Sequence, residues 1–180
     1  ELKEWYQKLL DEYHKWLSYQ KKWKEERNHS LQSLEFPFPY REGQRKMVSS
    51  VYHAIGASRQ IFIQAPTGVG KTMSTIFPAV RAVGEGKGET IFYLTAKTIT
   101  RTVAQEAFEV LREKGMNYKV VTITAKEKLC FMDETKCDPV HCPYARGHFD
   151  RVNDAVYELW TTKSRYDRET IREQAEKWQV

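Results

Sequence analysis

The chain is poor in the residues that staple or break a polypeptide, with three cysteines, six prolines and nine glycines in 180 residues. No run of eighteen apolar residues occurs, and no basic n-region followed by an apolar h-region opens the chain, so neither a membrane-spanning helix nor a secretory signal is expected. The expected location is cytoplasmic. An acidic excess is also missing: formal charge is +5 and the pI about 9.0. That balance is compatible with binding a phosphate backbone but falls well short of a histone-like tail. At this length the chain can bury one sizeable core with a small appended subdomain. It opens at Glu1 without methionine and reaches Val180 with a helical pattern still running. Both ends read as those of a fragment of a longer polypeptide.

Residues 61–72 read IFIQAPTGVGKT. Ile61, Phe62 and Ile63 suit a buried strand, and the turn after them must bring bare backbone N–H groups to a polyphosphate. Gly68 and Gly70 permit that approach. Lys71 then reaches the outer phosphates as a point charge, and the Thr72 hydroxyl ligates Mg²⁺ at the first turn of a helix whose positive dipole end faces the anion. Lys71 and Thr72 are the catalytic candidates. Ala65 stands where the general P-loop pattern has its first glycine. The form AxTGxGKT instead resembles motif I of superfamily-2 helicases, which implies an ATP site including Ala65, Pro66, Thr67, Gly68, Val69, Gly70, Lys71 and Thr72.

Upstream, residues 1 to about 28 carry Leu2, Trp5, Tyr6, Leu9, Leu10, Tyr13, Trp16, Leu17 and Trp23 at three- and four-residue spacing. This spacing predicts one long amphipathic helix, a connector whose aromatic stripe packs on a neighbour rather than stacking on bases. Phe36-Pro37-Phe38-Pro39-Tyr40 breaks the pattern. A helix bearing Met47, Val48, Val51, Tyr52 and Ile55 follows and ends near Gly56. Beyond Lys71 a helix is expected to about Gly84, kinked or left with an unbonded carbonyl by Pro78. Thr90–Leu94 reads as a strand, Thr98–Lys114 as a helix closed by Gly115, and Lys119–Ile123 as a third strand. Strands alternating with helices at this spacing predict an α/β fold of the RecA-like P-loop type with a parallel sheet. The rhythm stops at about 126, where the cysteines begin, and two polar helices follow at roughly 150–162 and 168–179, the second N-capped by Asp167. The expected organisation is a connector helix (1–35), the N-terminal part of a RecA-like domain (36–125), and a mostly helical, cysteine-containing insertion (126–180).

Arg41 and Gln44 precede the P-loop strand, and a Gln amide can donate to and accept from an adenine edge at once. In superfamily-2 helicases a glutamine in this place reads adenine, and the resemblance implies that Tyr40 and Arg41 help hold the base. Thr95, Lys97, Thr98 and Arg101 lie in TAKTITR, which resembles motif Ia. They cluster where a strand's carboxyl end meets a helix N-terminus and can grip a sugar–phosphate backbone without reading sequence.

Cys130, Cys137 and Cys142 fall in a C-x6-C-x4-C segment. In a protein expected to be cytoplasmic, three clustered thiols point to metal rather than to a disulfide. Zinc with His141 or His148 as fourth ligand and a 4Fe-4S cluster both compete for them. Residues 125–147, AKEKLCFMDETKCDPVHCPYARG, resemble the iron–sulfur insertion of DinG/XPD-type helicases, and the likeness covers roughly 36–180. It implies an ATP-driven motor moving 5′ to 3′ on single-stranded DNA, a monomer that meets single-strand/duplex junctions and no membrane. The implied cofactors are ATP, Mg²⁺ and a 4Fe-4S cluster held by Cys130, Cys137 and Cys142, with a fourth ligand outside the chain. Two parts of that pattern are missing: Asp133 and Glu134 are poorly placed for a DEAH-type carboxylate pair, and there is no second motor lobe. Two other readings remain: a zinc-stabilised nucleic-acid-binding module with an ATP-switch P-loop, and a small P-loop kinase that would leave Gln44 and the cysteines unexplained.

Overall fold

The apolar spacing at the start of the chain is realised as α1, Leu2–Ser33. The computed structural model describes residues 1–180 and resolves into two compact units, Glu1–Tyr118 and Lys119–Val180. No helix is long and apolar enough to cross a membrane. In the first unit α1 is followed by α2 (Gln44–Gly56), α3 (Lys71–Gly84) and α4 (Thr98–Glu113). The core lies where α3 meets the other three helices and is built from Leu31, Met47, Val51, Ile76, Val80, Phe108 and Leu111. Leu31, Ile76, Val80 and Leu111 are almost wholly buried, each contributing about 1.5–3 kcal/mol through removal of apolar surface from water.

Only the C-terminal part of α1 takes part in that core. At Gly84 a methyl group would stand 2.6 Å from Leu31 Cβ and 3.1 Å from the Gln32 amide nitrogen, so glycine is what lets the helices approach this closely. Gln32 Nε2 donates to the Gly84 carbonyl at 2.7 Å, and Arg81 donates to the carbonyls of Gln32 and Leu34. Lys24 pairs with Glu89 at 2.7 Å, and Ser30 Oγ accepts from the Asn117 amide at 3.0 Å. Trp5, Tyr6, Leu9, Tyr13 and Leu17 remain exposed. Leu31 and Gln32 of α1, which pack within the chain, lie beyond the aromatic stripe.

α3 runs unbroken through Pro78, which is buried. Proline supplies no N–H, so the Ser74 carbonyl lacks its usual helical partner. The larger departure concerns strands. Residues 61–63 and 90–94 form no strand; Phe62 is 94% and Leu94 89% exposed. A parallel strand draws its hydrogen bonds and burial from neighbours on both sides, and here neither segment has one. Apolar, β-branched composition alone does not supply a ladder.

The second unit holds the molecule's one sheet. β1 (Val120–Val121) pairs in parallel with β2 (Arg165–Tyr166), Val120 opposite Arg165 and Val121 opposite Tyr166. The segment read as a third RecA-like strand thus pairs with residues from the region read as an insertion. Between the strands come α5 (Lys126–Leu129) and α6 (His148–Thr162), and α7 (Arg168–Trp178) follows β2. Lys119 closes the end of α6: its ammonium donates to the carbonyls of Trp160 and Lys163 and to Tyr166 Oη, and lies 4.6 Å from the Trp160 ring centroid. Asp167 caps α7 as expected, accepting from Thr170 N and Oγ1, both at 3.0 Å. Glu158 on α6 receives Lys177, Trp178 and Gln174 of α7, and these three donors pull its carboxyl pKa down to about 2.

Candidate functional site

The phosphate turn begins as an exposed extended segment and ends at the first residue of α3. Gly68 and Gly70 both adopt left-handed backbone, with φ of 84° and 74°, and Gly70 is the N-cap of α3. The first amides of a helix have no intrahelical acceptor, so those of Lys71, Thr72 and Met73 are available to an anion, with the helix dipole behind them. Lys71 is folded back over the turn, and its ammonium donates to the carbonyls of Ala65 and Pro66, both at 2.8 Å. This holds the turn closed on itself. A polyphosphate would exchange these two neutral acceptors for charged oxygens, which make the stronger bonds.

Gln44 is the first residue of α2 and is buried, although it precedes the turn by more than twenty residues. Its Oε1 accepts from the Arg41 amide at 3.0 Å. Its Nε2 lies where a methyl group on residue 70 would fall, 2.5 Å from the ideal Cβ position. Arg41 donates through Nη1 to the Gly68 carbonyl. Both polar residues singled out upstream of the turn therefore touch it directly. Tyr40 stacks on Phe36, with centroids 4.3 Å apart and planes at 14°, and Phe36 meets Phe77 of α3 edge-on at 5.3 Å. The other ring face of Tyr40 belongs to a side chain that is 43% exposed, which suits a platform for a flat ligand.

Thr95, Lys97, Thr98 and Arg101 are all exposed at the start of α4. Lys97 is the N-cap residue, and no side chain caps the helix. Thr100 Oγ1 donates to the Lys97 carbonyl at 2.7 Å, anchoring the turn. Residues 36–118 carry eleven basic against six acidic side chains, while residues 1–35 and 119–180 are each balanced. The chain's whole positive excess thus lies on the segment that contains the turn and this helix start.

The cysteines lie in the second unit between α5 and α6. Cys142 is buried, Cys130 half-buried and Cys137 exposed. No three His, Cys, Asp or Glu side chains converge closely enough to hold a metal ion, so the thiols as placed do not fit a cluster or a zinc site. Lys126 is hydrogen-bonded to the Cys137 side chain, which raises the lysine pKa. His141 Nδ1 is joined to Asp138 Oδ2 at 2.6 Å; the Val140 amide and this histidine together depress the Asp138 pKa. His148 opens α6 and meets Phe149 edge-on. Arg172, one of several charged residues of α7 that no motif marks, reaches the cysteine segment directly.

Residues 41–144, more than half of the chain, match the DEAD/DEAH box helicase family. The chain belongs to that family. The phosphate turn, Gln44 and the start of α4 all fall inside the matched span. A protein of Methanocaldococcus jannaschii described as a probable ATP-dependent helicase is 30% identical over 123 residues, covering 66% of this chain. The chain spans 18% of that relative's length. No solved structure matches. A helicase domain with helices and a small parallel pair fits the RecA-like α/β class, and ATP with Mg²⁺ are the ligands expected of a DEAD/DEAH box helicase.

Proposed function

We propose that residues 36–125 form the start of the first motor lobe of an ATP-dependent DNA helicase of the DinG/XPD iron–sulfur type, with 1–35 as a connector helix and 126–180 as part of the cluster domain. The observation that carries the nucleotide side of this reading is the direct seating of Gln44 against Gly70. It brings the Gln44 amide against the phosphate turn, which supports a base-reading role for that amide. Lys71 leaves the Ala65 and Pro66 carbonyls for the outer phosphates, and Thr72 offers its hydroxyl to Mg²⁺. Tyr40 and Arg41 flank the base, and Ala65 to Gly70 wrap the phosphates. Thr95, Lys97, Thr98 and Arg101 hold the backbone of single-stranded DNA, supported by their exposure and by the positive excess of this segment. Translocation runs 5′ to 3′, and the whole protein acts as a cytoplasmic monomer at single-strand/duplex junctions.

Cys130, Cys137 and Cys142 are proposed as three ligands of a 4Fe-4S cluster on the strength of their spacing and the likeness of residues 125–147. As placed they do not converge, so no step of the motor is drawn through them. The test is a longer protein containing this chain, purified without oxygen. ATP hydrolysis stimulated by single-stranded DNA, unwinding of a duplex with a 5′ tail in preference to a 3′ tail, and broad visible absorption are expected. Stoichiometric zinc in a colourless protein would sink the iron–sulfur assignment. Unwinding from the 3′ tail would reverse the direction.

A further inference from the structure

From Cys130 to Gly147 the chain is irregular, so its carbonyls must find donors outside helix or sheet. Three arginines supply several of them. Arg146 donates to the carbonyls of Pro139 and Val140, both at 3.2 Å, and Arg151 of α6 donates to that of Arg146 at 2.7 Å. Arg172 of α7 does more. Its Nη1 donates to the carbonyls of Leu129 at 2.8 Å and Cys130 at 3.1 Å, while its guanidinium carbon stands 4.2 Å from the Phe131 ring centroid. Phe131 in turn stacks on Tyr144, with centroids 4.7 Å apart and planes at 14°.

The result is a three-layer stack of guanidinium, phenyl and phenol. Phe131 directly follows Cys130, and Tyr144 comes two residues after Cys142. One side chain of α7 therefore fastens both ends of the cysteine segment, one by backbone bonds and the other through the rings. Arginine suits this because its planar group hydrogen-bonds in its plane and stacks on its face, which a lysine ammonium cannot do together. Cys137 lies outside the stack and is exposed.

We infer that Arg172 is a positioning residue of the cysteine segment: it fastens the Cys130 and Cys142 flanks on α7 and leaves Cys137 outside the fastened part. The inference rests on the reading of the three cysteines as a ligand set, but its test requires no metal. The full chain, freed of metal by chelation, is alkylated with iodoacetamide and each cysteine is followed by mass spectrometry. Cys137 should react first and Cys142 last. Arg172→Ala should speed Cys130 and Cys142 about tenfold, the loss expected when bonds to a charged donor go, and leave Cys137 unchanged. Arg172→Lys should restore only part of the protection. Should Arg172→Ala melt α7, seen as lost helical circular dichroism, Tyr144→Leu takes its place and should speed Cys142 without affecting Cys137. Rates at Cys130 and Cys142 that stay at the wild-type value, or an increase shared by Cys137, overturn the inference. A zinc-bearing protein with the expected rates would defeat the iron–sulfur reading alone; an iron–sulfur protein with unchanged rates would defeat the role given to Arg172 alone.

Discussion

Alanine at position 70 separates two effects that alanine at 68 does not. Both glycines are left-handed, with φ of 74° and 84°, and an L residue held there is disfavoured by about 1–2 kcal/mol. At 68 a new methyl group meets nothing within 4 Å, whereas at 70 it falls 2.5 Å from Gln44 Nε2. Gln44 must then swing away, and the bond its Oε1 accepts from the Arg41 amide is lost. A buried hydrogen bond of this kind is worth about 1 kcal/mol. Gly70→Ala should therefore loosen the turn about fivefold more than Gly68→Ala, since 1.4 kcal/mol corresponds to about tenfold in an equilibrium constant. Hydrogen exchange over residues 41–75, read peptide by peptide, measures this. In a Gln44→Ala background the difference should vanish, because the two sites are coupled only through that side chain. Equal exchange in the two glycine variants, or a gap that survives Gln44→Ala, would refute the seating of Gln44 on the turn.

Lys71→Ala should weaken Mg-ATP binding about tenfold or more, the scale of lost bonds to charged groups, and a fluorescent-nucleotide titration with unchanged affinity would contradict the role given to Lys71. Asp167→Ala should cost the second unit about 0.5–2 kcal/mol as a lost N-cap, read as faster exchange in α7; unaltered protection there would remove the cap from the account. Acid should part α6 from α7. Glu158 is depressed to about 2 by Lys177, Trp178 and Gln174, so its contribution is complete above the unfolded carboxyl value of about 4.3 and is lost as pH falls through about 2. Trp178 fluorescence should follow that loss between about pH 4 and 2, and Glu158→Gln should flatten the curve.

Helices were legible because their signals are local. The apolar spacing around Met47 and Val51, the glycine at 70 and the aspartate at 167 each mark an element within a few residues of where it lies. Strands were not. Ile61–Ile63 and Thr90–Leu94 have strand composition, but pairing depends on a neighbour that local sequence cannot specify, and both segments stay unpaired. Val120 and Val121 do pair, with Arg165 and Tyr166, a partner more than forty residues away that carries no strand pattern of its own. The phosphate turn was readable as a motif, and Gln44 by its place ahead of it. Arg172 was not readable, because its role depends on a stack formed by Phe131 and Tyr144, far upstream of it in the chain.

The crossing of α1 and α3 at Gly84 has a mechanical side. α1 extends about 48 Å, and its last turns are seated against α3 at this crossing. α3 starts at the phosphate turn and ends at that crossing, about 21 Å of helix between them. The end of α3 that α1 grips is therefore joined to Lys71 by one continuous helix. Within that helix Pro78 is the residue that supplies no backbone N–H.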